Sequence, residues 1–323
     1  MSRTRWFVLG GAFLLTCTLA LAIGTIALTP RDVWNGLLGT DEALPVLVVR
    51  TLRLPRIALA ALVGAGLGMS GGALQGTMRN PLAEPYLLGV SGGAAVGAVL
   101  ATSFGLGPAF LPIAAFAGAI AAVLAAFFVA HAAGARGDPR VLLMAGVVVG
   151  AFANAAIMVA LANAPPNAVR SAVWWMMGSA ADAAWPQVGI LLLYVGLGGA
   201  VLVLLGRQID VLALGEDAAA ALGLDVDRAI RTVFFTAAFV AAATVAAAGL
   251  VGFVGLVVPH IVRATGEHRH RPLLVASALT GATLVVLADL LGRVLRPPAE
   301  LPLGAVTALI GVPFFLAKLR RLV

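Results

Sequence analysis

Apolar residues recur in long blocks, separated by short polar stretches, from one end of the chain to the other. An α-helix of about 20 apolar residues crosses the hydrocarbon core of a bilayer. The blocks predict ten such helices, at about 6–28, 55–78, 86–104, 110–132, 141–161, 187–206, 230–249, 251–264, 272–293 and 302–318. The eighth is too short to cross straight, so we expect it to end or tilt inside the bundle. The pattern predicts an all-α polytopic membrane protein, with residues 1–323 forming one permease-like domain.

Composition agrees with this class. The chain is 61% hydrophobic and 11% charged, which leaves too few polar residues to cover a soluble domain. Its net charge of +7 does not indicate a nucleic-acid partner, because Lys318 is the single lysine and the arginines stand singly at the ends of apolar runs. Membrane lipid is the expected surrounding. The single cysteine, Cys17, excludes an intrachain disulfide.

Basic residues predict which side of the membrane each loop occupies. The first apolar run has no clear cleavage site, so we interpret it as an uncleaved first span. Ten spans place both termini on one side. With that side inside, 14 of the 21 basic residues are cytoplasmic, which favours cytoplasmic termini. The seven on the outer side are Arg31, Arg50, Arg53, Arg56, Arg170, Arg293 and Arg296.

The predicted spans offer little chemistry of their own. Asp289 is the main ionisable residue, and Arg293, four positions later, is expected to pair with it. His131 and His260 lie at predicted inner ends, where their ring tips should reach the interface. No spacing suggests a metal site or a catalytic nucleophile. A phosphate-binding loop is also missing from the sequence, so any ATP-driven process needs a separate chain.

One acidic, alanine-rich stretch interrupts the apolar pattern. Residues 213–231 read "ALGEDAAAALGLDVDRAIR". Gly215 and Gly223 bracket a predicted helix from Glu216 to Leu222, whose acidic residues lie in the first turn, where the helix dipole favours them. Asp225 or Asp227 is expected to cap the next helix. The stretch is either a rigid helix that a soluble partner protein contacts or an ordinary solvated loop. Its residues alone do not decide between these two interpretations.

Four segments together resemble a known family. "ALGEDAAAALGLD" resembles the coupling-helix region of type II ATP-binding-cassette importer permeases for cobalamin, haem and ferric siderophores. The segments 53–98 ("RLPRIALAALVGAGLGMSGGALQGTMRNPLAEPYLLGVSGGAAVGA"), 249–263 ("GLVGFVGLVVPHIVR") and 288–315 ("ADLLGRVLRPPAELPLGAVTALIGVPFF") resemble the same family, in the same order. The resemblance implies a ten-helix permease acting as a homodimer in a bacterial inner membrane. It also implies two cytoplasmic ATPases that use ATP-Mg, a periplasmic binding protein, and no cofactor on this chain.

The resemblance assigns roles to particular positions. ATPase coupling falls in the region 207–229, on Leu214, Gly215, Glu216, Asp217, Ala218, Leu222 and Gly223. Docking of the binding protein falls on Arg53, Arg56 and Arg293, where interfacial anchoring is the alternative. A structural signature comprises Arg79, Asn80, Pro81, Pro85, Pro259 and His260. A cytoplasmic gate falls on Gly137, Asp138 and Pro139, although the cobalamin relative has small hydroxyl residues there.

These features predict import of a metal chelate, without identifying which one. "WWMMG" at 174–178 resembles the cobalamin member, but haem and siderophore members vary around the same pattern. The alternatives are an ion-coupled secondary transporter working without ATPase subunits and, further off, a membrane enzyme.

Overall fold

The computed structural model describes residues 2–24, 28–38, 44–134, 138–297 and 299–319. The helices in this part of the chain are α1 (Arg3–Ala22), α2 (Pro30–Leu38), α3 (Leu44–Leu47), α4 (Leu54–Thr77), α5 (Val90–Ser103), α6 (Phe110–Ala132), α7 (Pro139–Ala162), α8 (Pro166–Met176), α9 (Trp185–Leu212), α10 (Glu216–Ala221), α11 (Val226–Ala248), α12 (Val254–Ala264), α13 (His270–Val294) and α14 (Leu303–Leu319). A π-helical stretch, Val48–Arg53, joins α3 to α4, and a 3₁₀ turn, Pro85–Leu88, precedes α5.

Each of the ten predicted spans corresponds to a helix. Among the described residues, seven helices are long and apolar enough to cross a membrane, and α5, α12 and α14 are shorter apolar helices. The expected short eighth helix is α12, with 11 residues. The second span is longer than predicted, because α3, the π-helical stretch and α4 form one 34-residue run from Leu44 to Thr77.

Besides α3 and α10, two further short helices lie outside the predicted spans. Each of them, α2 and α8, begins with a proline in its first turn, where the missing N–H costs nothing. Both mix polar and apolar residues over fewer than a dozen positions, so neither produces the long apolar block from which the spans were predicted.

Helix α4 is the centre of the bundle and packs against α13, α11, α9 and α12. Small residues allow the closest approaches. A Cβ atom added to Gly64 would lie 2.1 Å from the carbonyl oxygen of Gly281, and one added to Gly71 would lie 1.9 Å from that of Gly255. Neither crossing could therefore accept alanine without moving a helix, in agreement with the close helix packing that the glycine-rich sequence predicts.

The helices run so that the two predicted sets of basic residues separate. At one end, Arg5 lies beside Gly266, Gly76 lies against the His270 ring, and Arg79 lies beside Gly215. At the other end, Arg53 bonds to carbonyls at the end of α1. We call the first the inner end and the second the outer end, following the predicted orientation.

Candidate functional site

The acidic stretch at the inner end forms the predicted short helix, one residue shorter than expected. Helix α10 covers Glu216–Ala221, and Glu216 and Asp217 lie in its first turn. Gly215 and Gly223 bracket it with φ angles of 115° and 82°, which favour glycine. Asp225 caps α11, because its carboxylate accepts a hydrogen bond from the Arg228 amide at 3.0 Å. Asp227 lies in the first turn of α11 instead.

The surface of α10 is more apolar than an ordinary loop. Leu214 and Leu222, which flank the helix, are 68% and 67% exposed. Ala219 is fully buried and fixes the helix to the bundle, whereas Asp217 and Ala218 face outward. At the inner end, where the surface should meet water, paired exposed leucines on a rigid helix are typical of a protein contact.

An ion pair ties α10 to the signature segment after α4. The Arg79 guanidinium donates to a Glu216 carboxylate oxygen at 3.1 Å. Arg79 adopts a φ of 48°, a left-handed conformation that is uncommon for a residue with a side chain. The sequence indicated both residues but not their contact, because they lie 137 positions apart and nothing in either stretch specifies the other.

A cleft of about 1110 Å³ joins three predicted elements at the inner end. It is lined by the signature residues Arg79 and Asn80, by the coupling residues Glu216 and Asp217, and by Asp138 and Pro139 of the proposed gate. Asp138 caps α7 by accepting from the Arg140 amide at 2.8 Å, and Pro139 is the first residue of that helix. Gly137, the third gate residue, lies outside the described residues.

The signature segment folds back against the start of α12. Asn80 accepts a hydrogen bond from the Leu82 amide at 2.9 Å and so pairs a backbone amide of the turn. Glu84 accepts from the Phe253 amide and the Tyr86 hydroxyl accepts from the Val251 amide, both at 2.9 Å. These bonds hold the turn opened by Pro81 and closed by Pro85 against the loop between α11 and α12.

His260 is a correction to the sequence prediction. Its ring is buried rather than at the interface, and Nε2 donates to the Pro81 carbonyl at 2.8 Å. The carbonyl accepts only, so this bond requires the proton on Nε2. The signature segment, folded back against α12, supplies the partner that water was expected to supply. Pro259, beside it, packs near Gly72 of α4.

The outer end holds a buried charge cluster around Arg56. Its guanidinium donates to Asp289 of α13 at 2.8–3.0 Å and to both carboxylate oxygens of Glu300 at 2.8 and 3.0 Å. Arg293 pairs with Asp289 at 3.2 Å, four residues apart on α13, which confirms the predicted pair. Glu300 was absent from the predicted site, although it lies within the resembling segment 288–315.

Arg53 and Arg293 are not the surface arginines that a docking role suggests. Each is 5% exposed. Arg53 donates to the carbonyls of Leu21 and Ala22, and Arg293 to that of Ala20 at 3.3 Å. The last carbonyls of a helix have no partner within it, so these two arginines satisfy the end of α1 and complement its dipole. Their docking role stays a prediction.

A second, larger cavity of about 1150 Å³ opens between α6, α8, α9 and α11. Trp174, Trp175 and Tyr194 line it together with the charged residues Arg170 and Asp182. The two tryptophans of the "WWMMG" stretch thus line this cavity. Within the described residues, no group of three or more His, Cys, Asp or Glu side chains is placed to hold a metal ion.

In the described part of the chain, the packed apolar helices, seven of them long enough to cross a membrane, define a polytopic membrane protein. The chain belongs to the FecCD transport family, whose family model matches residues 12–321. It is 44% identical over 286 residues to the cobalamin import system permease protein BtuC of Halobacterium salinarum, covering 87% of this chain and 75% of the relative. It is 37% identical over 324 residues to the hemin transport system permease protein HmuU of Yersinia pestis, covering 97% and 95%.

A solved structure agrees with these relatives. A metal-chelate type ABC transporter in an inward-facing conformation superimposes with a TM-score of 0.90 at 30% identity, covering 99% of this chain and 100% of that one. The fold is therefore the type II ABC importer permease fold, and the chain is a multi-pass permease of the inner (plasma) membrane.

Proposed function

We propose that this chain is the membrane-spanning half of an ATP-driven importer that moves a metal chelate from the periplasm to the cytoplasm. The observation that carries the proposal is α10, a short rigid helix flanked by two exposed leucines and anchored through buried Ala219. Such a helix suits a groove on a soluble partner. The partner is a pair of ABC ATPases that bind and hydrolyse ATP-Mg, and this chain contributes no catalysis.

Two copies form the transport pathway between them. Helix α7 supports this, because its outward face carries the exposed side chains of Met144, Phe152 and Met158 together with Asn154. An exposed amide midway along a span is costly against lipid and is better accommodated by a second helix or an aqueous path. A homodimer that buries this face provides both.

The substrate class follows from the relatives rather than from a pocket. Relatives named for cobalamin, hemin and ferric citrate import match this chain in sequence over most of their length. Each of these names refers to a compound that contains a chelated metal, so we assign the class and not the member. A periplasmic binding protein delivers the chelate to the outer end. Of the three docking arginines that the resemblance assigns, Arg56 is the most exposed.

Coupling runs through the inner cleft. When the ATPases close, they push α10, and the Arg79–Glu216 pair carries the displacement to the signature segment and to the start of α7. The segment is held by three hydrogen bonds to the α11–α12 region, so it moves as a unit with that loop. The pathway then opens to one side at a time.

The test is uptake by purified permease and ATPase in proteoliposomes, using labelled cobalamin, hemin and a ferric siderophore. We expect uptake of one of them that requires ATP inside the vesicle and the binding protein outside. Replacing Glu216 and Asp217 together with lysine should release the ATPase while the permease still inserts, because lysine in the first turn opposes the helix dipole. Uptake that follows a proton gradient and ignores the ATPase would contradict the proposal and favour a secondary transporter.

A further inference from the structure

The Arg56 guanidinium is already occupied by carboxylates of its own chain. One edge, formed by Nε and an Nη atom, bonds to Asp289, and the two Nη atoms together bond to Glu300. A planar guanidinium receives carboxylates through such two-bond edges. Both edges of Arg56 are therefore filled, and a carboxylate from another protein can bind it in the same way only if one of these two leaves.

The two carboxylates differ in how easily they could leave. The Asp289 side chain is 3% exposed, lies on the long helix α13, and also pairs with Arg293. The Glu300 side chain is 35% exposed and lies in the segment between α13 and α14. Removing Asp289 from Arg56 would leave buried charges without a partner. The Glu300 side chain, in contrast, can rotate into water at a small cost in free energy.

We infer that Glu300 is an internal placeholder on Arg56, which an acidic side chain of the docking protein displaces when the complex forms. The inference rests on the proposed function, since it requires a periplasmic partner. The exchange replaces one two-bond carboxylate with another, so Arg56 keeps its charge paired throughout. Asp289 stays in place and holds the guanidinium at the angle that faces the outer surface.

The exchange also connects docking to the bundle. Glu300 lies one residue before Leu301, whose amide donates to the Gly292 carbonyl of α13 at 2.9 Å, and three before Leu303, which begins α14. Release of Glu300 removes one of the contacts that hold the segment before α14, while the backbone bonds of Leu301 and Leu303 remain. Docking thereby changes a constraint on a membrane helix without opening the buried part of the cluster.

The first experiment measures the affinity of the assembled transporter for the purified binding protein that supports uptake in proteoliposomes. Glu300→Gln keeps the shape of the side chain and removes the competing charge, so we expect binding roughly fivefold tighter than wild type. Asp182→Asn is the matched control. It removes one exposed negative charge from the loop between α8 and α9, which makes none of the described bonds to Arg56, and should leave affinity nearly unchanged.

Equal affinity of wild type and Glu300→Gln, with both variants equally stable, would overturn the inference. So would an equal gain in both Glu300→Gln and Asp182→Asn, because that result would reflect net charge alone. Failure of the wild-type transporter to bind the protein at all would instead overturn the docking part of the proposed function.

A second experiment leaves Glu300 in place. Ala299 is exposed beside it, so a fluorophore on Ala299→Cys, in a Cys17→Ala chain, reports on this segment. We expect its emission to change on addition of the binding protein, with the same midpoint as binding. The change should be much smaller when Glu300→Gln is added, because the charged contact with Arg56 is then already absent. Binding without any change in emission would overturn the inference.

Discussion

The two ends of the bundle each contain an arginine–carboxylate pair, and the pairs have opposite physical characters. At the outer end, Arg56 and Asp289 meet at 2.8 Å with side chains that are 13% and 3% exposed. At the inner end, Arg79 and Glu216 meet at 3.1 Å with side chains that are 41% and 43% exposed. The distances are similar, but only the outer pair lies where water cannot replace a lost partner.

The difference shows that an arginine on the outer side of the membrane, where basic residues are normally few, need not lie on the protein surface. The excess of outer arginines suggested docking. In the structure, Arg53, Arg56 and Arg293 form hydrogen bonds that join α1, α4 and α13 at that end. In the inner cleft, Arg79 lies on the side where basic residues are expected, and its pair with Glu216 is exposed enough for a partner protein to contact it. A mutation in the outer cluster therefore affects folding first, whereas one in the inner cleft affects coupling first.

The largest expected effect separates the two ends directly. Asp289→Asn removes one charge shared by Arg56 and Arg293, and we expect it to destabilise the permease by about 3–5 kcal/mol. Glu216→Gln, the matched change at the inner end, should cost no more than about 1 kcal/mol. Thermal unfolding of both variants in the same detergent measures the contrast. Equal losses would show that burial does not distinguish the ends.

A smaller effect tests whether the inner end also contains a rigid part. Tyr86→Phe removes the acceptor of the buried Val251 amide, which should cost about 1–3 kcal/mol and loosen the signature segment. The control is Tyr194→Phe, because the described contacts of Tyr194 are ring contacts with Phe116 and Phe239, and these survive the change. Unfolding measurements should show a loss for the first variant and almost none for the second. The reverse ranking would contradict the assigned hydrogen bond.

The sequence predicted the local features and missed those that depend on contacts between distant residues. Apolar blocks predicted ten spans, and bracketing glycines placed α10 to within one residue, because each feature is specified within a few turns. The Arg56–Glu300 pair joins residues 244 positions apart, and His260 meets Pro81 across 179. Such pairs depend on which helices pack together, and the outer arginines look alike in sequence whether they face water or the end of α1.

The smallest expected effect concerns how a displacement of α10 is transmitted to the rest of the permease, and not the stability of the fold. Arg79→Glu and Glu216→Arg each break the exposed pair and place like charges together. Each should lower uptake per ATP hydrolysed, by about fivefold at most, while stability changes little. The double variant restores an opposite-charge pair in reversed order and should recover most of the loss.

The control for this cycle is Asp217→Arg, since Asp217 lies next to Glu216 on α10 and faces outward. If Arg79 acts through Glu216, combining Asp217→Arg with Arg79→Glu should give no recovery. Recovery with either acidic position would mean that the cleft responds to net charge and not to one contact. Full uptake by both Arg79→Glu and Glu216→Arg would show that the displacement of α10 reaches α7 through packing alone. The inner end would then depend on buried contacts, as the outer end does.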